Sequence, residues 1–210
     1  MNKNRLEAFS DGVLAIIITI MVLSLKVPDG DSLSALRDTT GNALLSYLVS
    51  FVYVGIYWNN HHHTLQLVTR IDGSVLWANL GLLFFLSFLP FTTAWMDETD
   101  FAQTPVVVYG IDLLLISLAY FVLQATIVRI QGERSPLRQA VGRDRKGKAS
   151  VALYLVGILA AAIDGGTARI GVWLGLGTFV AVAVIWVIPD RRLDRAFHHS
   201  HHDSEVRQAG

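Results

Sequence analysis

The sequence predicts an all-α integral membrane protein with six transmembrane helices, and three observations carry that prediction. Of the 210 residues 52% are apolar and 16% charged, a balance too oily for a soluble domain of this size. Apolar runs long enough to cross hydrocarbon recur along the chain, each separated from the next by polar, Gly- or Pro-containing stretches. The cationic residues are distributed unevenly. With the N-terminus inside, only Lys26, Arg37 and Arg169 of the 17 Lys and Arg fall on the outer side, so both termini are expected to be cytoplasmic.

The first helix begins at Arg5, Phe9, Ser10, Asp11 and Gly12 and runs through a dozen apolar residues, interrupted by Thr19, to Leu25. A polar, capped start followed by an apolar run is how a helix enters a bilayer. Lys3 and Arg5 before this core would suit a signal peptide, but only Lys26, Val27, Pro28 and Asp29 follow, with no small-x-small cleavage site, so the segment is expected to be retained. A connection rich in turn residues holds a short amphipathic stretch at 33–36. The second helix spans residues 43–68 and ends in Tyr57, Trp58, Asn59, Asn60 and the run His61, His62, His63. Polar groups at that density must face protein, water or the interface. The third helix covers 74–95 with Asn79 and Gly81, and the acidic patch Asp97, Glu98 and Asp100 follows. The fourth covers 106–128, interrupted by Asp112 and Gln124. A basic loop, 129–148, leads to a short fifth helix at 149–163, then a turn at Asp164, Gly165 and Gly166, and a sixth helix at 170–188. Residues 1–190 form the membrane domain, and 191–210, with four histidines between 198 and 202, a polar, disordered cytoplasmic tail.

On a helical wheel Arg5, Phe9, Gly12, Ile16, Thr19, Ile20 and Leu23 fall on one stripe of the first helix, with Asp11 off it. If copies of the helix surrounded an axis with the stripe inward, rings of isoleucine and leucine plus one ring of threonine hydroxyls would line it. Such a hydrophobic constriction is one way a channel holds ions back. The same stripe would equally serve as ordinary bundle core.

The pattern Arg5-x-x-x-Phe9-Ser10-Asp11 at the start of the first membrane helix, followed by Ala15, Ile16 and Thr19, resembles the signature of the endolysosomal potassium-channel family of the transmembrane protein 175 type. The chain as a whole also suits that family's six-helix unit. The resemblance implies a bacterial member with one such unit, assembled as a homotetramer in the cell membrane, with a potassium-permeable pore lined by the first helix. It places the pore and gate on Ile16, Ile20 and Leu23 with Thr19 as the polar ring, and a packing framework on Arg5, Phe9, Ser10 and Asp11. Trp58, His62 and His63 are candidate partners of that framework. If the first two helices run antiparallel they lie at the same membrane level as Asp11, so a histidine–carboxylate contact is allowed.

Other chemistry is less well supported. Three consecutive helical residues point 100° apart, so the histidines cannot converge on one metal ion; a pH-sensitive gate through imidazole is the better expectation. Asp112 is an intramembrane carboxylate, close enough to the outer interface to be hydrated or paired. Gly171, Gly175 and Gly177 read as a close-packing face. The acidic patch could concentrate cations near an entrance. Cysteine is absent and net charge is zero, so neither thiolate chemistry nor a nucleic-acid surface is implied. No nucleotide-binding loop, nucleophile elbow, HExxH or TVGYG filter occurs. The expected function is a passive potassium channel with modest preference for potassium over sodium and no cofactor. The alternative is a membrane-embedded solute transporter or enzyme using Asp112 and the histidines.

Overall fold

The computed structural model describes residues 3–132, 135–141, 144–164 and 168–187. The regular elements among these residues are all helices: α1 (Lys3–Leu23), α2 (Leu33–Gln66), α3 (Gly73–Leu86), α4 (Leu89–Glu98), α5 (Gln103–Gln131), α6 (Pro136–Val141), α7 (Arg145–Ala162) and α8 (Ile170–Val187). The tail at 191–210 and the turn at Gly165 and Gly166 lie outside the described residues.

Among the described residues, five segments are long and apolar enough to cross a membrane: α1, α2, the joined α3–α4, α5 and α8. A sixth helix, α7, has 18 residues, but its first turn carries Arg145, Lys146 and Lys148, which leaves a shorter apolar stretch. Asp144 caps it, its carboxylate accepting from the Gly147 N–H at 2.8 Å. Ser32 caps α2 by accepting from the Ala35 N–H at 3.1 Å, so the amphipathic stretch at 33–36 is the first turn of a 34-residue helix rather than part of a connection. Asp72 caps α3 through the N–H groups of Ser74 and Val75, and the bond from the Ser74 hydroxyl is the main cause of its carboxyl lying below the usual carboxylate range.

The third predicted helix is broken. α3 ends at Leu86 and α4 starts at Leu89 with Pro90 in its first turn. Proline supplies no N–H and its ring crowds the carbonyl four residues back, so the ladder cannot run through.

α5 is the central element, packed against α3, α4, α7 and α8 and burying Val106, Tyr109, Leu113, Ile116, Leu123 and Ile127. α7 and α8 pack closely because of glycine. A Cβ on Gly175 would stand 2.7 Å from the Gly157 carbonyl oxygen, and one on Gly171 would collide with the Ala160 carbonyl, whereas one on Gly177 would meet open space. Buried hydroxyls tie the bundle together. Ser50 bonds Thr93 at 2.7 Å and Tyr109 at 3.1 Å, Tyr53 donates to the Phe179 carbonyl at 2.6 Å, and Thr64 meets Tyr120 at 2.7 Å. In contrast to α5, α1 lies at the edge of the chain's helix bundle and packs on α2, α3 and α4.

Candidate functional site

α1 buries Leu6, Ser10, Leu14, Ile17 and Met21, whose spacing of three and four residues defines one helix face. The opposite ridge is left bare. Ile16 is 58% exposed, Ile20 48% and Leu23 82%, and Arg5, Phe9, Gly12 and Thr19 lie on the same open side. The predicted stripe is therefore not core of a single protomer. Thr19 donates its hydroxyl proton to the Ile16 carbonyl at 2.8 Å, so what it turns outward is an oxygen with free lone pairs, an acceptor suited to cations.

Behind this ridge a buried polar chain holds α1 to α2 and α3. The His61 Nε2 lies 2.7 Å from Asn79 Oδ1, Asn79 Nδ2 donates to Ser10 Oγ at 3.0 Å, and Ser10 Oγ donates to the Leu6 carbonyl at 2.9 Å. An amide oxygen can only accept, so the His61 proton sits on Nε2. All three side chains are buried, and His61 Nδ1 has no partner among the described residues. Ser10 thus faces inward to α3.

Asp11 goes elsewhere, accepting from Trp58 Nε1 at 3.1 Å. The expected histidine–carboxylate contact exists, but its acid is Glu7: His62 Nδ1 lies 2.8 Å from Glu7 Oε1, and Gln66 Nε2 reaches His62 Nε2 at 2.7 Å. Since the Gln66 amide nitrogen only donates, His62 accepts at Nε2 and donates from Nδ1. Trp58 stacks on the His62 ring, with centroids 6.2 Å apart and planes at 20°. His63, in contrast, meets the His62 ring edge-on and has no hydrogen bond to the Phe9-Ser10-Asp11 motif among the described residues. Glu7, Gln66, His61 and Asn79 are the participants that motif matching missed. A helical wheel could have found Glu7, because it lies one turn before Asp11 and three residues before Ser10.

Of the two expectations for Asp112, hydrated or paired, the structure shows the pairing. Asp112 is buried in the protomer, with Oδ2 accepting from the Thr92 hydroxyl at 3.0 Å. Its partner is on α4, whereas His61 and His62 bond Asn79 and Glu7, so these groups do not assemble into one site. No group of three His, Asp or Glu among the described residues is placed to hold a metal ion. The acidic patch is shared with a cation, Lys26 standing 4.0 Å from Glu98 in an exposed pair of little energetic weight.

Comparison with known proteins reaches the same residues. The family model described as "Endosomal/lysosomal potassium channel TMEM175" matches residues 5–90, a stretch that contains Ser10, His61 and Asn79 and all of the exposed ridge. A potassium channel of Chryseobacterium sp. (strain P1-3) is 48% identical over 93% of this chain and 98% of its own length. The human endosomal/lysosomal proton channel TMEM175 is 34% identical over 50% of this chain and 23% of its own. The crystal structure of a lysosomal potassium-selective channel TMEM175 homolog from Chamaesiphon minutus superposes with a TM-score of 0.72 at 28% identity, covering 90% of this chain and 97% of that one. With the family model matching residues 5–90 and the Chryseobacterium potassium channel 48% identical over nearly its full length, this chain belongs to the TMEM175 family.

Proposed function

We propose that the protein is the subunit of a potassium-permeable channel, with ions passing where the exposed α1 ridges of several copies converge. The observation that carries this reading is the two-sidedness of α1: Ile17 and Met21 are buried in the protomer while Ile16, Ile20 and Leu23 stand free. In this arrangement Ile16, Ile20 and Leu23 form hydrophobic rings that gate by excluding water, and Thr19 contributes a ring of oxygens. Arg5 and Phe9 sit at the cytoplasmic end of the same ridge, and Ser10 and Asp11 fix its angle through Asn79 and Trp58. The assembly is a homotetramer of six-span subunits in a bacterial cell membrane, with α7 as the sixth span, residues 1–190 as the membrane domain and both termini cytoplasmic. Support for the orientation comes from the cationic bias of the loops; support for four copies comes from the family.

Hydroxyls and aliphatic side chains cannot replace a hydration shell as a carbonyl cage does, so selectivity for potassium over sodium is modest. The names of the relatives are those of channels, and the separation of Asp112 from the histidines gives an enzyme or coupled transporter no assembled site. Potassium flux from liposomes loaded with purified protein tests the reading. Ile16→Asn wets the constriction and raises leak; saturable uptake coupled to a solute, unaffected by this substitution, would contradict it.

A further inference from the structure

We infer that the slot between α2, α5 and α7 holds one acyl chain of an anionic phospholipid, whose headgroup sits at the start of α7. The slot has a volume of about 310 Å³, with Ile56, Leu118, Phe121 and Val151 among its walls. Tyrosines contribute ring surface rather than polarity. The Tyr120 hydroxyl donates to the Asn60 carbonyl at 3.1 Å, Tyr53 to the Phe179 carbonyl, and Tyr154 to Tyr53. Leu118 and Phe121 are also exposed on the protomer surface, so the mouth opens where lipid tails lie. Along α2 the walls run from Tyr53 to Asn60, about 10 Å at the helical rise. The slot's volume lies at the low end of small-ligand pockets.

One end is polar, with Asn60, Gln124, Asp144 and Lys148. Asp144 spends its carboxylate on the α7 cap, Lys148 makes no ion pair among the described residues, and the Lys146 ammonium lies 5.8 Å from the centroid of the Trp186 ring that also lines the slot. Arg145 is one turn away. Cations flanking an apolar crevice between membrane helices suit an anionic headgroup. The cationic loop bias puts this end on the cytoplasmic side, so the lipid comes from that leaflet. The slot is separate from α1 and does not depend on where ions pass.

The test uses purified full-length protein in liposomes doped with phosphatidylglycerol or phosphatidylcholine bearing a photoreactive group on one acyl chain, with cross-linked peptides mapped after illumination. Phosphatidylglycerol should label α5 and α7 peptides that line the slot more than other exposed apolar surfaces such as Leu159 and Val184. Val151→Trp fills the slot and should remove that labelling. Lys148→Gln, at an exposed position, keeps the slot and should lower the preference for phosphatidylglycerol over phosphatidylcholine about fivefold. Uniform labelling of all exposed apolar faces, or labelling unchanged by Val151→Trp in protein that elutes as wild type, overturns the proposal. So does a headgroup preference that Lys148→Gln leaves intact.

Discussion

Replacing Asn79 by leucine removes the amide that joins His61 to Ser10 inside the protomer, and the cost follows from which groups are left alone. Ser10 keeps its own bond to the Leu6 carbonyl and loses only an incoming donor. His61 loses the acceptor of its Nε2–H, and moving the proton to Nδ1 gives no relief because that atom is also buried without a partner. A buried donor left unmade costs about 1–3 kcal/mol. Side-chain bonds between membrane helices average only about 0.6 kcal/mol, because the dissociated helices find other partners. The expected loss for Asn79→Leu is therefore about 1–2 kcal/mol. Ser10→Ala costs a similar amount by orphaning the Asn79 amide. In the Asn79→Leu background, however, no amide remains to orphan, so Ser10→Ala should then cost only what its bond to Leu6 contributes. Reversible unfolding in mixed micelles of the wild type, both single variants and the double variant gives the coupling directly. A coupling of about 1 kcal/mol supports the chain of bonds; additivity within about 0.3–0.5 kcal/mol would refute it.

Three further outcomes follow. Gly175→Ala should destabilise by about 1–3 kcal/mol, as overpacking does, because its Cβ meets the Gly157 carbonyl; Gly177→Ala should be neutral or slightly stabilising, and equal melting temperatures for the two would contradict the packing of α7 on α8. His62→Ala deletes the ring that meets both Glu7 on α1 and Gln66. It should loosen α1 against α2 by about 0.5–1.5 kcal/mol in the micelle assay, whereas His63→Ala should cost less; equal losses in the two variants would remove His62 from the contact between these helices. Trp58→Phe keeps the ring but deletes the donor to Asp11. It should loosen α1 against α2 by about 0.5–1.5 kcal/mol, read in the same micelle assay, with no change in Asp11→Asn, Trp58→Phe relative to Trp58→Phe alone.

Much of this was legible in the sequence, for identifiable reasons. Spans follow from hydropathy and length, and the α1 stripe from a 3.6-residue period, so both are local properties. The break in the third helix was signalled by Pro90, yet proline is tolerated within membrane helices often enough that the residue alone does not decide. Which acid meets which histidine depends on the relative rotation of α1 and α2, which no single-helix pattern contains. The motif drew attention to Asp11, while the partner of His62 proved to be Glu7. Asp112 was expected to be hydrated or paired, and the structure pairs it with Thr92. Its position near the end of α5 left both open, and the choice of partner depends on α4, which supplies Thr92 beyond the break at Ser87.

The absence of native cysteine allows the central claim to be tested one position at a time. Ile16→Cys, Ile20→Cys and Leu23→Cys, with Ile17→Cys and Met21→Cys as controls from the buried face, can be assayed by potassium current during exposure to a cationic thiol reagent. The account predicts that the first three are modified and block the current while the two controls are not. Block at Ile17→Cys or Met21→Cys, with Ile16→Cys and Ile20→Cys indifferent to the reagent, would place the ion path on the other side of α1 and contradict it.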